Sequence, residues 1–416
     1  MTDSMANIVI LIGSHLCTAP RPQKEARALT AAGHKVKILG VWYNAELARH
    51  DEQLKTRCDL SFAPVVDCRN ENPRGRVSRL RHRLFCRMAR ELLRRGGLFS
   101  PEVCGYGARQ LLAAARRERA DLTIIHAESG LWIGTRLVRD GLGVGVDFED
   151  WFSEDIGEGD PLAGRARALK GFEAKLLQTC RYRLATSHAM ARALAAEHAV
   201  TPPMVIYNSF PRLECSRFNS APRDRHDLSL PSLTWFSQTI GEFRGLEDLF
   251  AALPLLKQKC EIHLRGSIRP ETRERFLGLC PAEWRVHLFF HPTVASEELP
   301  ARIAEHDIGL ALERRRPRSR NLTITNKLFQ YMQAGLAIVA TSTEGQVEAM
   351  SRAPGAGLLT EEGPKGLADG LNQRLTDKIA LHRAKELSKQ AFEREFAWEL
   401  HEPDLRNHLE EGLKPA

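Results

Sequence analysis

No stretch of the 416 residues approaches the roughly 18 consecutive apolar positions that a membrane-spanning helix needs, so a spanning helix is excluded. The apolar opening Ile8–Ile12 has no basic leader and no cleavage-like site, and is expected to be a first strand rather than a signal peptide. The nine cysteines contain no C-x-x-C pair and no metal-site spacing, which argues for reduced thiols in a cytoplasmic protein. No G-x-G-x-x-G follows the first strand, so the dinucleotide fingerprint is missing. No short internal repeat occurs. Net positive charge is also confined to one place. Arg74–Arg95 holds nine Arg and one Glu, a local excess equal to the +8 of the whole chain, so the remainder is neutral. A generally basic nucleic-acid binder is therefore not expected, and no run of aromatic residues interleaves with these Arg to stack on bases.

What is present is an ordinary globular composition, 43% hydrophobic and 27% charged, in a chain long enough for two or more domains. Asn7–Ile12, Pro22–Ala32 and Val36–Val41 alternate strand, helix and strand, the pattern of a parallel sheet with right-handed crossovers. Further strands are expected at Leu122–Ile125, ending in His126-Ala127-Glu128, and at Val144–Val146, ending in Asp147-Phe148-Glu149-Asp150. Asp147, Glu149 and Asp150 could be read as a divalent-metal cluster, but the acids are adjacent and no other ligand set is visible. Acceptor hydroxyl contacts or helix capping fit them better. Short strands at Leu184–Thr186 and Val205–Tyr207 precede Pro211–Pro231, which is rich in Pro, Arg, Asp and Ser and reads as a linker. A second series follows: strands at Leu233–Phe236, Glu261–Leu264, Val286–Phe290, Ile308–Leu312 and Ala337–Ala340.

Arg74–Arg95 has helical periodicity, with Val77, Leu80, Leu84, Met88 and Leu92 in one stripe and Arg on the other faces. Two readings stay open. One is a solvated helix packed on the core by its stripe. The other is a surface for anionic lipid headgroups or a lipid-diphosphate acceptor, using Arg79, Arg83, Arg87, Arg90 and Arg94.

The stretch Asn321–Gln346 reads as loop, short helix, buried strand and loop. Thr325 is placed as N-cap, Gly335 as the positive-φ helix end, and Thr341–Gly345 as a second small-residue loop. Loops and a helix N-terminus at the edge of a parallel sheet favour a bound anion such as a phosphate.

NKLFQYMQAGLAIVATSTEGQ resembles the donor-site pattern of the GT-B glycosyltransferases, specifically retaining family 4 or group 1. FSQTIGEFRGLEDLF is similar to the Gly-Arg region that opens that family's second domain. HAES, DFEDWFSED and VIYNSF are similar to its first-domain strand ends and to the stretch before its linker. The resemblance implies an α/β protein of two doubly wound parallel-sheet, Rossmann-like domains facing across a cleft. Residues 1–208 would form an acceptor-side domain, 209–231 a linker, 232–390 the nucleotide-sugar donor domain, and 391–416 a helix packing back on the first domain.

The resemblance further implies that Arg244 pairs with the donor diphosphate and that Lys327 is a second phosphate-side cation or loop anchor. Gly266 would lie under the nucleobase, and Gln330 would hold ribose hydroxyls in place of a family Glu. Leu322 stands where the family's other Glu would be. Ser237, Gln238, Thr325 and Asn326 complete the donor set, with Glu344, Gly345 and Gln346 facing the sugar and phosphates. His126, Glu128 and Glu149 would approach the transferred sugar or the acceptor, and no nucleophile is assigned. The partners implied by the resemblance are a nucleotide-diphosphate sugar and a glycan or lipid-linked acceptor; peripheral contact with an anionic membrane is the expectation from Arg74–Arg95. No nucleic acid, metal or other cofactor is expected. The competing expectations are a sugar-nucleotide epimerase and a degenerate member that only binds a nucleotide sugar or acts as a scaffold.

Overall fold

The computed structural model describes residues 5–71, 73–157, 159–212 and 223–414. Two compact units divide the chain. One runs up to Thr186 and takes in Met190–Ile206 and the residues from Glu402 on; the other holds Ser187–Ala189 and Tyr207–His401. Ten residues of the expected linker, 213–222, lie outside the described set.

The first unit is built on seven parallel strands: β1 (Asn7–Leu11), β2 (Lys35–Trp42), β3 (Phe62–Asp67), β4 (Leu122–Ile125), β5 (Val144–Phe148), β6 (Arg183–Ala185) and β7 (Met204–Val205). Their order is β3-β2-β1-β4-β5-β6-β7. Ile8, Ile10, Ile124 and Val146 are almost fully enclosed, as expected for strands covered on both faces. Helix α1 (Pro20–Ala31) starts two residues earlier than the periodicity suggests, because Pro20 fits a first helical turn. After α1 come α2 (Ala45–Cys58), α3 (Pro73–Gly96), α4 (Ala108–Glu118), α5 (Glu128–Arg139), α6 (Ala166–Thr179) and α7 (His188–His198).

Helix α3 corrects one expectation. Its apolar stripe does not pack on the core: Val77, Leu80, Leu84, Met88 and Leu92 are 68%, 71%, 55%, 52% and 49% exposed. The buried face is the opposite one, carrying Gly75, His82, Cys86, Ala89 and Leu93. Ala89 and Leu93 cluster with Val103, with Phe99, Cys104 and Leu162 packed around them. Gly75, Cys86 and Ala89 make much of that face small, which allows close approach, and the aliphatic stripe from Val77 to Leu92 is left outside.

The second unit has six parallel strands: β8 (Ser232–Thr239), β9 (Glu261–Ser267), β10 (Leu288–His291), β11 (Ile308–Ala311), β12 (Ala337–Thr341) and β13 (Gly357–Thr360). Their order is β10-β9-β8-β11-β12-β13. Its core gathers Trp235, Leu249, Phe250, Phe276, Leu310 and Val339. Its helices include α8 (Leu246–Ala252), α9 (Pro270–Leu279), α10 (Leu299–Ala304), α11 (Arg318–Leu322), α12 (Asn326–Ala334) and α13 (Glu344–Ser351), of which α8 and α11 to α13 position its carboxyl edge. Phe392 and Phe396 are fully buried in a π-helical turn before the last helix, Trp398–Leu413. The last residues of that helix group with the first unit, where the His408 and Tyr182 rings stack 5.2 Å apart. On the described side of the expected linker, Arg225 ties the chain to β9 through Glu261 at 2.7 Å.

Each sheet turns back on itself beside its first strand, at β1/β4 and at β8/β11. In open α/β sheets that is where the carboxyl ends leave a crevice. Strand β11 must lie very close to α12 for this: a Cβ on Gly309 would come within 2.2 Å of the Tyr331 ring, which is fully buried. Gly309→Ala is expected to lower the unfolding free energy by about 1–3 kcal/mol through overpacking, read as a lower urea midpoint with unchanged slope.

Candidate functional site

The crevice of the second unit is assembled from four chain segments. From the end of β8 come Ser237, half-buried, and Gln238, exposed. The loop then returns through Phe243, at φ 59°, to Gly245, at φ 78°. A Cβ on Gly245 would lie 2.5 Å from both Leu312 Cβ and its carbonyl oxygen, so only glycine lets this loop rest on the end of β11. The next residue of that end, Glu313, carries the central charge. Lys327 Nζ, from the first turn of α12, donates to Glu313 Oε1 at 3.0 Å and lies 5.3 Å from the centre of the Trp235 ring. Burial alone would push the Glu313 carboxyl up, but Lys327, then Arg244 and Arg320, hold it below the usual carboxylate range. Three cations thus converge on one carboxylate at the β8/β11 edge.

Arg244 is half-buried and forms no ion pair among the described residues, whereas Lys327 is committed to Glu313. Thr325 occupies the N-cap of α12 without a side-chain cap bond; its hydroxyl accepts from Lys327 Nζ at 3.4 Å. Asn326 follows, half-buried. Gln330, one turn beyond Lys327 on the same helix face, is only 8% exposed, and its amide meets no hydrogen-bond partner among the described residues. Gly335 ends the helix at φ 70°. A cavity of about 10 Å³, room for about one water, lies against Gly245, Leu312, Glu313 and Thr341.

Two donor-side expectations change here. Thr341–Gly345 is not a loop throughout, because α13 begins at Glu344 with Thr343 as its cap. Gln346 is expected to face the sugar and phosphates, but its side chain is turned into the interior of the unit. It is fully buried, and its amide nitrogen donates to the Thr341 carbonyl at 2.7 Å and hydroxyl at 2.9 Å. Gly345 serves packing: a Cβ there would meet the Thr323 carbonyl oxygen at 2.5 Å. Glu344 is exposed, and its side chain accepts from Asn321 Nδ2 at 2.8 Å. Gly266 has a backbone reason of its own, since a Cβ would lie 2.5 Å from the Ser237 carbonyl oxygen. Leu322 is a core residue, 3% exposed, and its carbonyl accepts from Ser187 Oγ at 2.5 Å.

In the first unit the structure brings His126 and Glu149 together and adds partners that the sequence did not reveal. His126 is 3% exposed; Nδ1 lies 2.6 Å from Glu149 and Nε2 2.8 Å from Glu25. Glu25 also accepts from the Tyr182 hydroxyl. Beside them Arg21 pairs with Asp147 and donates to the Ile206 carbonyl at 2.6 Å. Burial pulls the imidazole down, but hydrogen bonds to Glu149 and Glu25 outweigh it and push His126 up to about 10, so it is an imidazolium at neutral pH. Ligand atoms of Glu25, His126 and Asp147 lie within 4.8 Å of one another. Both imidazole nitrogens nevertheless point at carboxylates, and an imidazolium has no lone pair for a metal. The clue in the sequence was Arg21 and Glu25, four residues apart on the inward face of α1. Glu128 opens α5 and pairs with Arg165 at 2.8 Å. Ala127 before it is held at φ 69°, a strained value for a residue with a Cβ.

Residues 231–377 match the family described as Glycosyl transferases group 1. No curated protein matches the sequence. Among solved structures the chain is similar to HepE of Anabaena in complex with UDP and glucose, at 14% identity and TM-score 0.70, covering 98% of this chain and 100% of that one. It is similar to a mutant of S. aureus TarM in complex with Fondaparinux, alpha-GlcNAc-glycerol and UDP, at 8% identity and TM-score 0.68, covering 99% and 100%. A putative UDP-N-acetylglucosamine 2-epimerase of Listeria monocytogenes is also similar, at 11% identity and TM-score 0.57, covering 99% of each chain. The fold is GT-B: two doubly wound parallel-sheet α/β domains.

Removing His126 leaves buried carboxylates without their cation, so His126→Ala is expected to cost about 3–5 kcal/mol at neutral pH. The native value, about 10, lies above the ordinary 6.5. The contribution is therefore fully present below the ordinary value and lost as pH rises through the native one. Urea melts of both proteins at neutral pH and near pH 10 should show the gap narrowing.

Proposed function

We propose that the chain, whose residues 231–377 match group 1 glycosyl transferases, moves a sugar from a nucleotide-diphosphate sugar to a glycan or lipid-linked acceptor in polysaccharide or glycoconjugate synthesis. The transfer retains anomeric configuration and uses no metal. The observation that carries this reading is the cation set Arg244, Lys327 and Arg320 around Glu313 at the β8/β11 edge, with Gln330, which has no hydrogen-bond partner among the described residues, one turn away. As the bond from the anomeric carbon to the phosphate oxygen breaks, negative charge grows on the departing diphosphate. Cations fixed beforehand stabilise that state more than the ground state. Arg244, with no carboxylate partner among the described residues, is the diphosphate's direct partner. Lys327 anchors the loop by neutralising Glu313. Gln330 offers its amide to the ribose hydroxyls.

On the acceptor side, the imidazolium of His126 has no lone pair with which to accept a proton at neutral pH. The acceptor hydroxyl's proton is therefore assigned to a phosphate oxygen of the leaving group while the new glycosidic bond forms. His126 and Glu149 act as a rigid polar wall on the sugar or acceptor side, with Glu128 nearby in sequence. No helix among the described residues is long and apolar enough to cross a membrane, and a cytoplasmic, peripheral location is part of the proposal. HepE's complex with UDP and glucose makes UDP the first nucleotide to test.

A second reading, nucleotide-sugar binding without turnover, is favoured by Leu322, a buried core residue at the position where the resemblance implies a Glu. Incubation with donor and acceptor separates the readings: glycosylated acceptor ends the second, and bound nucleotide without product supports it. A change in free donor stereochemistry would indicate an epimerase instead.

Arg244→Ala is expected to weaken UDP or GDP binding by about 1.5–3 kcal/mol with little change in melting temperature. Lys327→Ala should instead lower the melting temperature, because the largely buried Glu313 loses its direct ion-pair partner. Isothermal titration alongside thermal melts checks both. Unchanged nucleotide affinity in Arg244→Ala would remove the donor-site assignment.

A further inference from the structure

Helix α3 presents two unlike faces. The inner one, from Gly75 to Leu93, is buried. The outer one carries Val77, Leu80, Leu84, Met88 and Leu92 within roughly a third of the circumference, a stripe about 22 Å long. Phe85 is 39% exposed at its margin. Arg flanks the stripe, and most of this charge is unneutralised. Arg94 and Arg95 share Glu91, but Arg74, Arg76, Arg79, Arg81, Arg83, Arg87 and Arg90 have no acidic partner among the described residues.

We infer that α3 lies flat on an anionic lipid bilayer, its apolar stripe inserted at the boundary between headgroups and acyl chains and its Arg rows paired with lipid phosphates. Such a bilayer satisfies both halves of the surface at once. It takes aliphatic side chains out of water and supplies anionic oxygens on either side of them. A second copy of the chain would bring a like charge of +8 against this segment. RNA would satisfy the Arg and leave the stripe in water. The helix is too charged to cross the membrane, so it rests at the surface. Val77 also lines an open cleft of about 530 Å³ with Arg74, Arg81, His82, Val65 and Gln110. Arg74 and Arg81 outnumber Asp67 in that lining, so headgroups beneath the docked helix would meet a net-basic, partly apolar recess. The inference deepens the lipid-linked side of the proposed acceptor but stands on α3 alone. The test contains no sugar donor, so its failure leaves the transferase reading untouched.

The full chain is sedimented with phosphatidylcholine vesicles with and without phosphatidylglycerol. Binding is expected only with the anionic lipid. Leu80→Ser/Leu84→Ser/Met88→Ser changes only exposed positions. It should keep the wild-type melting temperature yet bind vesicles at least about tenfold more weakly. Arg79→Gln/Arg83→Gln/Arg87→Gln should weaken binding by about fivefold per charge. In Leu84→Trp, tryptophan emission should shift to the blue on adding anionic vesicles. Equal binding to neutral vesicles, no binding to either, wild-type binding by the Leu/Met variant, or an unshifted emission would each overturn the inference. So would retention on single-stranded RNA without vesicle binding.

Discussion

A carboxylate taken out of water must be met by a cation or by enough hydrogen-bond donors, and this requirement shapes both carboxyl edges. Glu313 is met by Lys327, with Arg244 and Arg320 adding to the field. Glu25 and Glu149 are met by His126, and Asp147 by Arg21. Each set joins elements far apart in the chain: α1 to β4 and β5 in one unit, β11 to α12 in the other. Removing one partner from such a set costs more than the pair contributes, because an uncompensated charge stays behind. These groups therefore fix where strand ends and helix starts meet. They hold the polar atoms in place before any ligand arrives.

The interior of each sheet was legible in the sequence, because strands buried on both faces read as short apolar runs: Leu122–Ile125 and Ala337–Thr341 are examples. The outer strands β3 and β13 were not. β3 contains Pro64, tolerable because it lies at the sheet's margin, and β13 is half-wet along Gly357–Leu359. Periodicity likewise showed that α3 is amphipathic but not which face meets the core. Gly75, Cys86 and Ala89 are too small to stand out beside Leu and Met, yet smallness is what lets that face pack closely.

The same division runs through the site. The Gly335 helix end and the placing of Thr325, Lys327 and Gln330 on one short helix follow from local spacing, and the structure has them there. Glu313 could not be singled out, because its importance comes from Lys327, fourteen residues on, and from Arg244, on another strand's loop. Gln346 illustrates the converse. Its type suits a ligand contact, but Thr341 at the end of β12 captures its amide, and no local pattern in the sequence records that.

The proposed reaction conserves charge at the edge of the second unit. Counting these four groups alone, Arg244, Lys327 and Arg320 against Glu313 leave a local excess of two positive charges. A nucleotide-diphosphate sugar brings two negative phosphate charges, so the loaded site is close to neutral. Cleavage of the sugar–phosphate bond would add a further negative charge. Transfer of the acceptor hydroxyl's proton to the leaving phosphate cancels it, so the balance is kept from substrate to product. That route needs no protein base, which fits a first unit whose one buried histidine at the β4 edge is held protonated by two carboxylates. It also gives Glu313 a role beyond support. Without it the edge would hold one more positive charge than donor or product can neutralise, and a departing diphosphate would be bound too tightly to leave.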